Sequence, residues 1–306
     1  MNTILFIAGN DFASCFTLNY ISRCLAKSGG VADLLGTVNA AFITKGEDNI
    51  RDWVSRDEIM HIDDFIDKRY SHIIDFKGVD FITDHLKRLK KSKAISIPEY
   101  ISGTGDNYAD ILENCMKAIG AKDDGWGWNL KLHADHKINS SDLPTSHLSG
   151  YITLALSNTD NFGSDVDWKN VLSRIPYPVV IIGRNEVCDL ATEIASHDNV
   201  KIYSACGKFD MYEFADIISR SRLLLTHENI WLYLGIALKQ SVVAINSKVK
   251  EGVYTFGYGS KFLKSLNALP VVSVILKKRW FTSRRSLENK LVSAIENGLK
   301  LKINPH

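Results

Sequence analysis

The fold of this chain is decided by four short apolar runs: Pro178-Val-Val-Ile-Ile-Gly183, Val200-Lys-Ile-Tyr203, Leu223-Leu-Leu-Thr226 and Ser241-Val-Val-Ala-Ile245. Helical patterns separate these runs, at Glu186–Ser196, Asp210–Ser219 and Asn229–Leu238. Short apolar runs that alternate with helices predict parallel strands buried on both faces. Such sheets bind ligands at the carboxyl ends of their strands, where loops lead into helix N-termini. The region therefore predicts where a binding site lies.

The composition allows two domains with full cores, since the chain has 306 residues and 45% of them are hydrophobic. The net charge of +2 gives no indication of nucleic-acid binding. The second half is mildly basic, which suits an anionic ligand but equally suits solvated lysines. Five scattered cysteines without a C-x-x-C pair predict reduced thiols in a cytosolic protein. We expect no secretion signal, because the apolar stretch Ile4–Ala8 is too short and no basic residue precedes it. We expect no membrane span, because the longest apolar run, Ala268–Leu276, reaches at most halfway across a bilayer.

The first half repeats the alternation of strand and helix less regularly. We predict strands at Thr3–Ala8, Asn39–Ile43, Glu58–Ile62, His72–Phe76, Ala94–Ile97 and Trp128–Leu132, and helices at Ser14–Lys27, Val79–Lys90 and Asp106–Ile119. The stretch Asn139–Gly150 is polar and rich in helix and strand breakers, which predicts a linker. We therefore expect two domains, residues 1–145 and 146–306. The second domain would open with a strand at Tyr151–Leu156 and end with a helix near Ser283–Leu299.

Several stretches are similar in order and spacing to one family. They are Val179-Val-Ile-Ile-Gly-Arg-Asn-Glu186, Ala205–Arg222 and Leu223–Leu238 in the second half, and Lys68–Gly78 and Asn107–Gly120 in the first. The chain thereby resembles the ADP-heptose:lipopolysaccharide heptosyltransferases and their relatives, over most of its length. The resemblance implies an α/β protein with the GT-B fold, in which two Rossmann-like domains with parallel sheets face each other across a cleft.

The resemblance also implies an activity. It suggests transfer of heptose or another hexose-like sugar, with inversion and without a metal or cofactor, from a nucleotide diphosphate donor of which an ADP-sugar is favoured. The acceptor would be lipopolysaccharide or another glycan or glycolipid. The protein would be cytoplasmic, and peripheral contact with the inner membrane stays open because basic residues accompany aromatic ones between Lys277 and Arg285.

The candidate site residues follow partly from this resemblance and partly from their positions after predicted strands, before predicted helices or in a basic cluster. The donor site would contain Ser157, Asn158, Gly183, Arg184, Gly207, Lys208, Glu228, Asn229 and Tyr233. Asp11 would be the general base that deprotonates the acceptor, with Asp75 and Asp106 as the next candidates. Asn10, Lys87 and Lys91 would contact the acceptor.

The chain departs from the family at the phosphate motif. Where the family has Asp-Thr-Gly followed three residues later by His, this sequence has Glu228, Asn229, Ile230 and Tyr233. Isoleucine prevents the close backbone approach that a glycine allows, and tyrosine carries no positive charge. These changes are the argument for the alternative function, a catalytically inactive binding or scaffold protein on the same fold. A nucleotide-sugar epimerase is a third option, supported only by analogy of fold.

Each candidate residue also has a purely structural interpretation. Asp11 could be only the N-cap of the first helix, and Glu228 or Asn229 only the cap of a later one. Lys208, Arg184, Lys87 and Lys91 could be solvated surface cations, and Tyr233 a core residue. The sequence His133-Ala-Asp-His136 invites a metal interpretation, but no companion ligands stand at the required spacing, and we expect no metal.

Overall fold

The computed structural model describes residues 3–44, 47–55, 70–76, 93–97, 108–157, 166–227, 229–249, 251–266, 269–276 and 283–301. The chain divides into two compact units. The first consists of residues 1–131 and 249–265, and the second of residues 132–248 and 266–306. Each unit contains one parallel β-sheet with helices against it.

The first unit has a five-stranded parallel sheet in the order β3-β2-β1-β4-β5. Its strands are β1 (Thr3–Ile7), β2 (Val31–Gly36), β3 (Ile50–Ser55), β4 (His72–Asp75) and β5 (Lys93–Ser96). Its described helices are α1 (Phe12–Lys27), α2 (Val38–Thr44), α3 (Tyr108–Ile119), α8 (Glu251–Tyr258) and α9 (Ser260–Leu266), numbered along the whole chain. The central strand β1 is apolar and almost completely buried, as a strand covered on both faces must be.

The second unit has a six-stranded parallel sheet in the order β11-β10-β9-β6-β7-β8. Its strands are β6 (Ile152–Ala155), β7 (Val179–Ile182), β8 (Ile202–Ser204), β9 (Leu224–His227), β10 (Val242–Ile245) and β11 (Val271–Val274). Its described helices are α4 (Trp168–Ser173), α5 (Cys188–Ala195), α6 (Met211–Arg220), α7 (Ile230–Ala237) and α10 (Arg284–Lys300). The four apolar runs that open the sequence analysis are therefore confirmed as β7 to β10.

The first unit includes a segment that is distant in the sequence. Phe256 of α8 packs edge-on against both Tyr20 of α1 and Trp128, at ring-centroid distances of 5.1 and 6.1 Å. Trp128 is completely buried, and its main-chain N–H donates to the oxygen of Gly257. Residues 249–265 thus complete the first unit, although in the sequence they follow five strands of the second unit.

Two predicted strands are wrong. Residues Asn39–Ile43 belong to α2, because Thr37 caps the helix through its hydroxyl oxygen, which accepts from Ala40 N, and alanine favours helix over strand. Residues Trp128–Leu132 form no strand; the main-chain N–H of Trp128 bonds to the oxygen of Gly257 in α8 instead of to a sheet. The predicted strand Glu58–Ile62 and the predicted helix Val79–Lys90 lie outside the described residues.

The strands β2, β3 and β11 are absent from the sequence prediction. β2 contains Asp33, which breaks the apolar pattern, yet this carboxylate is buried between Arg51 of the neighbouring strand β3 and the hydroxyl of Tyr70. The compensating charge stands 18 residues away, so a local apolar pattern does not show it. β3 and β11 are edge strands with partly exposed side chains, which hides them in the same way.

The segment expected as a linker is compact. Residues 132–150 contain short 3₁₀ turns at Ala134–His136, Ser140–Asp142 and Thr145–His147, and they belong to the second unit. Leu143 and His147 are buried, and the imidazole of His147 contacts the main-chain oxygen of Val179. The two units divide between residues 131 and 132. That limited proteolysis cuts the chain between Asn139 and Gly150 stays a prediction.

Candidate functional site

The second sheet reverses its direction of winding between β6 and β9. From β6 the chain moves outward to β7 and β8, and then returns to place β9 on the other side of β6. Parallel sheets bind ligands in the crevice that opens at such a reversal, beyond the carboxyl ends of the strands. The residues that emerge there are Ser157 after β6, and His227 and Asn229 at the end of β9.

Asn229 occupies this crevice as the N-cap of α7. Its Oδ1 accepts hydrogen bonds from the main-chain N–H of Trp231 at 2.9 Å and from the hydroxyl of Thr226 at 3.2 Å. Its Nδ2 is buried and has no hydrogen-bond partner among the residues that the structure describes. A buried donor without a partner is uncommon, so the amide of Asn229 both caps the helix and leaves one donor for a ligand.

The N-terminus of α7 is held against β6 by a tryptophan. Trp231 is 2% exposed, and its indole Nε1 donates to the main-chain oxygen of Leu156, at a distance of 3.1 Å. This bond fixes the start of the helix next to the end of β6, across 75 residues of sequence. The positive end of the helix dipole is thereby directed to the crevice, where it favours a negatively charged group.

Two glycine loops meet at the ends of β7 and β8. The N–H of Gly207 donates to the oxygen of Gly183, and Gly207 adopts a φ of 69°. A Cβ on Gly183 would lie 2.4 Å from Cγ2 of Val187, and one on Gly207 would lie 2.6 Å from Oδ1 of Asn185. Both positions therefore require glycine, since the loops approach too closely for a side chain.

The two candidate cations follow these glycines directly. Lys208 is exposed, its Nζ donates to the main-chain oxygen of Ser204 at 2.7 Å, and it lies 4.3 Å from the ring centroid of Tyr203. Arg184 is exposed, and its guanidinium makes no ion pair within the described ranges. Because neighbouring parallel strands lie about 4.8 Å apart, the ends of β7 and β8 are about one and two spacings from β6. Both residues therefore lie at the carboxyl end of the sheet, on the β7 and β8 side of the reversal.

The remaining donor candidates are less defined. Tyr233, in the first turn of α7, is partly exposed, and Ser157 is partly exposed at the end of β6. Asn158 and Glu228 lie outside the described residues. His227 was missed by sequence reasoning; it is 5% exposed and directly precedes the crevice loop. Its place at the end of an apolar strand is the signal that could have identified it.

Asp11 caps α1 at the corresponding reversal of the first sheet, between β1 and β4. Its Oδ1 accepts from the main-chain N–H of Ser14 at 2.8 Å, and its Oδ2 accepts from the Ser14 hydroxyl. The carboxylate is partly exposed. Asp11 is therefore an N-cap, as its structural interpretation predicts. Each carboxylate oxygen keeps a further lone pair, so this role does not prevent it from receiving a proton.

Gly9 brings the two central strands of the first sheet close together. A Cβ at this position would lie 2.7 Å from the main-chain oxygen of Phe76, which follows β4. The next residue, Asn10, is exposed, and its main-chain oxygen accepts from Nδ2 of Asn39. Of the other acceptor candidates, Lys87 and Lys91 lie outside the described residues, as does the alternative base Asp106. Asp75 is completely buried at the end of β4.

The thiols near both crevices are unsuited to nucleophilic chemistry. Burial raises the pKa of Cys15 to about 12, with a further increase from the negative charge of Asp11. Burial also raises the pKa of Cys206 to about 12, beside the Gly207 loop. Both thiols therefore stay protonated at neutral pH, and the thiolate is the reactive form of cysteine. All five cysteines are free.

Two groups of described residues offer side chains of the kind that bind metal ions. The ring of His136 stacks on Tyr212 at 4.0 Å and lies 6.0 Å from the ring of His133. In the described part of the chain, only Cys24, Asp123 and Asp124 bring three ligand atoms together. There, Asp124 is paired with Arg23 at 2.7 Å, and Asp123 accepts from the Tyr20 hydroxyl, so the cluster is a structural network of the first unit.

The sequence matches no protein-family model and no curated protein. Solved structures do resemble the chain. A glycosyl transferase of family 9 from Veillonella parvula gives a TM-score of 0.72 at 12% identity, with 98% of each chain covered. The ADP-heptose lps heptosyltransferase II of E. coli gives 0.63 at 12% identity, with 98% of this chain and 99% of that one covered.

A third structure, the E. coli heptosyltransferase WaaC with ADP, gives a TM-score of 0.62 at 12% identity and covers 97% of this chain and 99% of its own. These matches show that the chain has the fold of heptosyltransferases, which is the α/β GT-B fold, and they confirm the predicted fold class. Within the described ranges, no helix is both long and apolar enough to span a bilayer.

Proposed function

We propose that this chain is a glycosyltransferase that moves a sugar from a nucleotide diphosphate donor to a hydroxyl group of a glycan or glycolipid. The observation that carries the proposal is the buried Nδ2 of Asn229, a donor without a partner in the described structure, at the reversal of the second sheet. A fold shared with heptosyltransferases supports the same class of reaction.

The donor would bind at the carboxyl ends of β6, β7, β8 and β9. Gly183 and Gly207 would let the backbone approach the nucleotide, with Ser157, Asn158 and Tyr233 beside it and Glu228 on a sugar hydroxyl. Asn229 would donate to a phosphate or sugar oxygen. Among nucleotides, ADP is favoured because one solved structure of similar fold carries it. Heptose or another hexose-like sugar would be transferred.

The reaction would be a single displacement with inversion. The acceptor oxygen attacks the anomeric carbon, the bond from that carbon to the diphosphate oxygen breaks, and Asp11 receives the proton of the acceptor hydroxyl. The diphosphate departs as an anion. Its charge would be stabilised by Lys208, Arg184 and the N-terminus of α7, so the proposal needs no metal ion. Ser14 would orient the carboxylate of Asp11 through its two hydrogen bonds.

The acceptor would be bound by the first unit, at Asn10, Lys87 and Lys91. Lipopolysaccharide or a similar glycolipid would agree with the basic character of two of these residues. Free cysteines agree with a reducing compartment, so we place the protein in the cytoplasm, with peripheral contact to the inner membrane.

A thermal-shift panel of ADP, UDP, GDP and CMP tests the proposal. A nucleotide present at 100 times its dissociation constant adds about 2.7 kcal/mol to the free energy of unfolding. We expect ADP to raise the melting temperature most, and the variant Asn229→Asp to lose most of that rise. If no nucleotide shifts the melting temperature at millimolar concentration, the scaffold function replaces the enzymatic one.

A further inference from the structure

An open pocket of about 670 Å³ lies between α4 and α10 of the second unit. It is lined by three arginines, two acids and two amides: Arg174, Arg284, Arg285, Asp167, Glu288, Asn170 and Asn289. None of these residues belongs to the proposed donor or acceptor site. We call this feature the arginine pocket.

The acids of the arginine pocket are already engaged. Glu288 is 3% exposed, and its carboxylate accepts from the main-chain N–H of Asp167 at 3.1 Å and from Nδ2 of Asn170. It also lies 3.6 Å from Nε of Arg284. Asp167 caps α4 by accepting from the main-chain N–H of Asn170. Both carboxylates therefore accept hydrogen bonds from the protein, and that of Glu288 joins α10 to the start of α4.

The other two arginines have no such compensation. Arg174 donates to the neutral side-chain oxygen of Asn289 at 2.9 Å, which holds its guanidinium across the two helices. Arg285 is exposed. Neither forms an ion pair with a carboxylate in the described part of the chain.

The position of Arg284 and Arg285 is unfavourable for the helix itself. They occupy the first turn of α10, a 17-residue helix without an acidic residue in that turn. A helix N-terminus carries partial positive charge, so cations there lower helix stability. Residues that lower the stability of their own helix in this way occur mainly at functional or strained sites. The lining of the pocket holds three arginines against two carboxylates, an excess of one positive charge, and the N-terminus of α10 adds partial positive charge.

We propose that the arginine pocket binds a phosphate ester. The planar guanidinium group matches phosphate oxygens with paired hydrogen bonds, and Arg174 and Arg285 line one pocket from the ends of two neighbouring helices, where both can contact one phosphate. The helix N-terminus adds its dipole to the same charge. The phosphate comes either from the headgroup of an anionic lipid, which docks the second unit on a membrane, or from a soluble phosphate compound.

The full-length protein tests this proposal with two probes. Binding of glycerol 3-phosphate is measured by isothermal titration, and binding to vesicles of phosphatidylcholine with and without phosphatidylglycerol by sedimentation. The double variant R174Q/R285Q removes both uncompensated charges. The double variant K169Q/K290Q is the matched control, because these exposed lysines lie on the same two helices but do not line the pocket.

We expect R174Q/R285Q to weaken binding at least tenfold, since each charged hydrogen bond is worth about one to two powers of ten in affinity. The control should stay within twofold, and both variants should melt near the parent temperature. Vesicle binding that glycerol 3-phosphate competes away identifies a lipid headgroup, whereas binding of the soluble probe alone identifies a soluble phosphate compound. An equal loss in the control, or no binding of either probe to the parent protein, overturns the proposal.

Discussion

Both carboxylate oxygens of Asp11 accept a hydrogen bond from the same residue, Ser14, which stands three positions later in the first turn of α1. The Asp11 side chain therefore caps the start of the helix, and its partly exposed carboxylate lies at the carboxyl end of the central strand β1. The capping that the structure shows and the catalysis that we propose for Asp11 can be separated by substitution.

Asp11→Asn should abolish transfer while leaving the fold intact. Asparagine caps helices about as well as aspartate, so the free energy of unfolding should change by no more than about 0.5 kcal/mol. An amide cannot accept the acceptor proton, so turnover should fall by about 10²–10⁴-fold. Asp11→Ala should in addition lower stability by about 1 kcal/mol. Turnover within a few-fold of the parent in Asp11→Asn would show that Asp11 is only a cap.

Lys208→Ala should weaken nucleotide binding without unfolding the protein. The side chain is exposed, and the contacts it makes with described residues are those with Ser204 and the ring of Tyr203, so little stability depends on it. Loss of a charged hydrogen bond to the diphosphate should cost about 1.5–3 kcal/mol of binding free energy, measured by titration with ADP. Lys122→Ala, which removes an exposed lysine of the first unit, is the control. Equal affinity in both variants would remove Lys208 from the site.

Asn229→Asp should separate capping from donation. Aspartate keeps the oxygen that accepts from Trp231 N, so α7 should remain capped. It replaces the buried Nδ2 donor by a second oxygen, which would repel a phosphate or leave a sugar oxygen unpaired. We expect nucleotide affinity to fall by at least about 1–3 kcal/mol, with a melting temperature close to that of the parent. Unchanged affinity would mean that the amide donor faces no ligand.

Gly9→Ala should destabilise the first unit. The new Cβ would meet the main-chain oxygen of Phe76 at 2.7 Å, and backbone cannot move aside without shifting β1 against β4. We expect a loss of about 1–3 kcal/mol in chemical denaturation. Gly252→Ala is the matched control, since nothing lies within 4 Å of its Cβ and it stands inside α8; it should stabilise by about 0.5–1 kcal/mol. A neutral result at Gly9 would contradict the close approach.

The pair between Arg23 and Asp124 should make stability depend on pH in acid. Burial would raise the pKa of the Asp124 carboxyl, but hydrogen bonds from Arg23 and from Trp126 N outweigh burial and hold that pKa below its usual value of 3.8. The stabilisation is therefore complete above pH 3.8 and is lost as the pH falls through the lower pKa of the folded state. Asp124→Asn should cost about 1–3 kcal/mol at pH 7, and the difference should shrink below pH 4. A difference independent of pH would contradict this assignment.

The second unit was more predictable from sequence than the first. Its strands β7 and β10 are entirely apolar and buried, and β9 begins with two buried leucines, so the pattern is visible locally. β2 was missed because Asp33 is neutralised by Arg51 and by the hydroxyl of Tyr70, which are close only after folding.

In the candidate site, too, some residues can be predicted from the sequence and some contacts cannot. Gly183 and Asn229 could be located because each adjoins a regular element, and Gly207 because it lies in the short loop between β8 and α6. The hydrogen bond from Trp231 to Leu156 and the arginine pocket could not be predicted from the sequence. The hydrogen bond joins residues 75 positions apart, and in the pocket the bond from Asn170 to Glu288 spans 118 positions. No local pattern carries that information.

The return of residues 249–265 to the first unit has a consequence for biosynthesis. While the chain emerges from the ribosome, the first 131 residues are complete long before Phe256, which covers Tyr20 and Trp128. Until then these aromatic rings lack one of their packing partners, and strands β6 to β10 have already been synthesised. A nascent chain that stops before residue 249 should therefore hold an incompletely packed first unit, exposed to chaperones and proteases, and a gene fragment that encodes residues 1–145 alone should inherit the same defect.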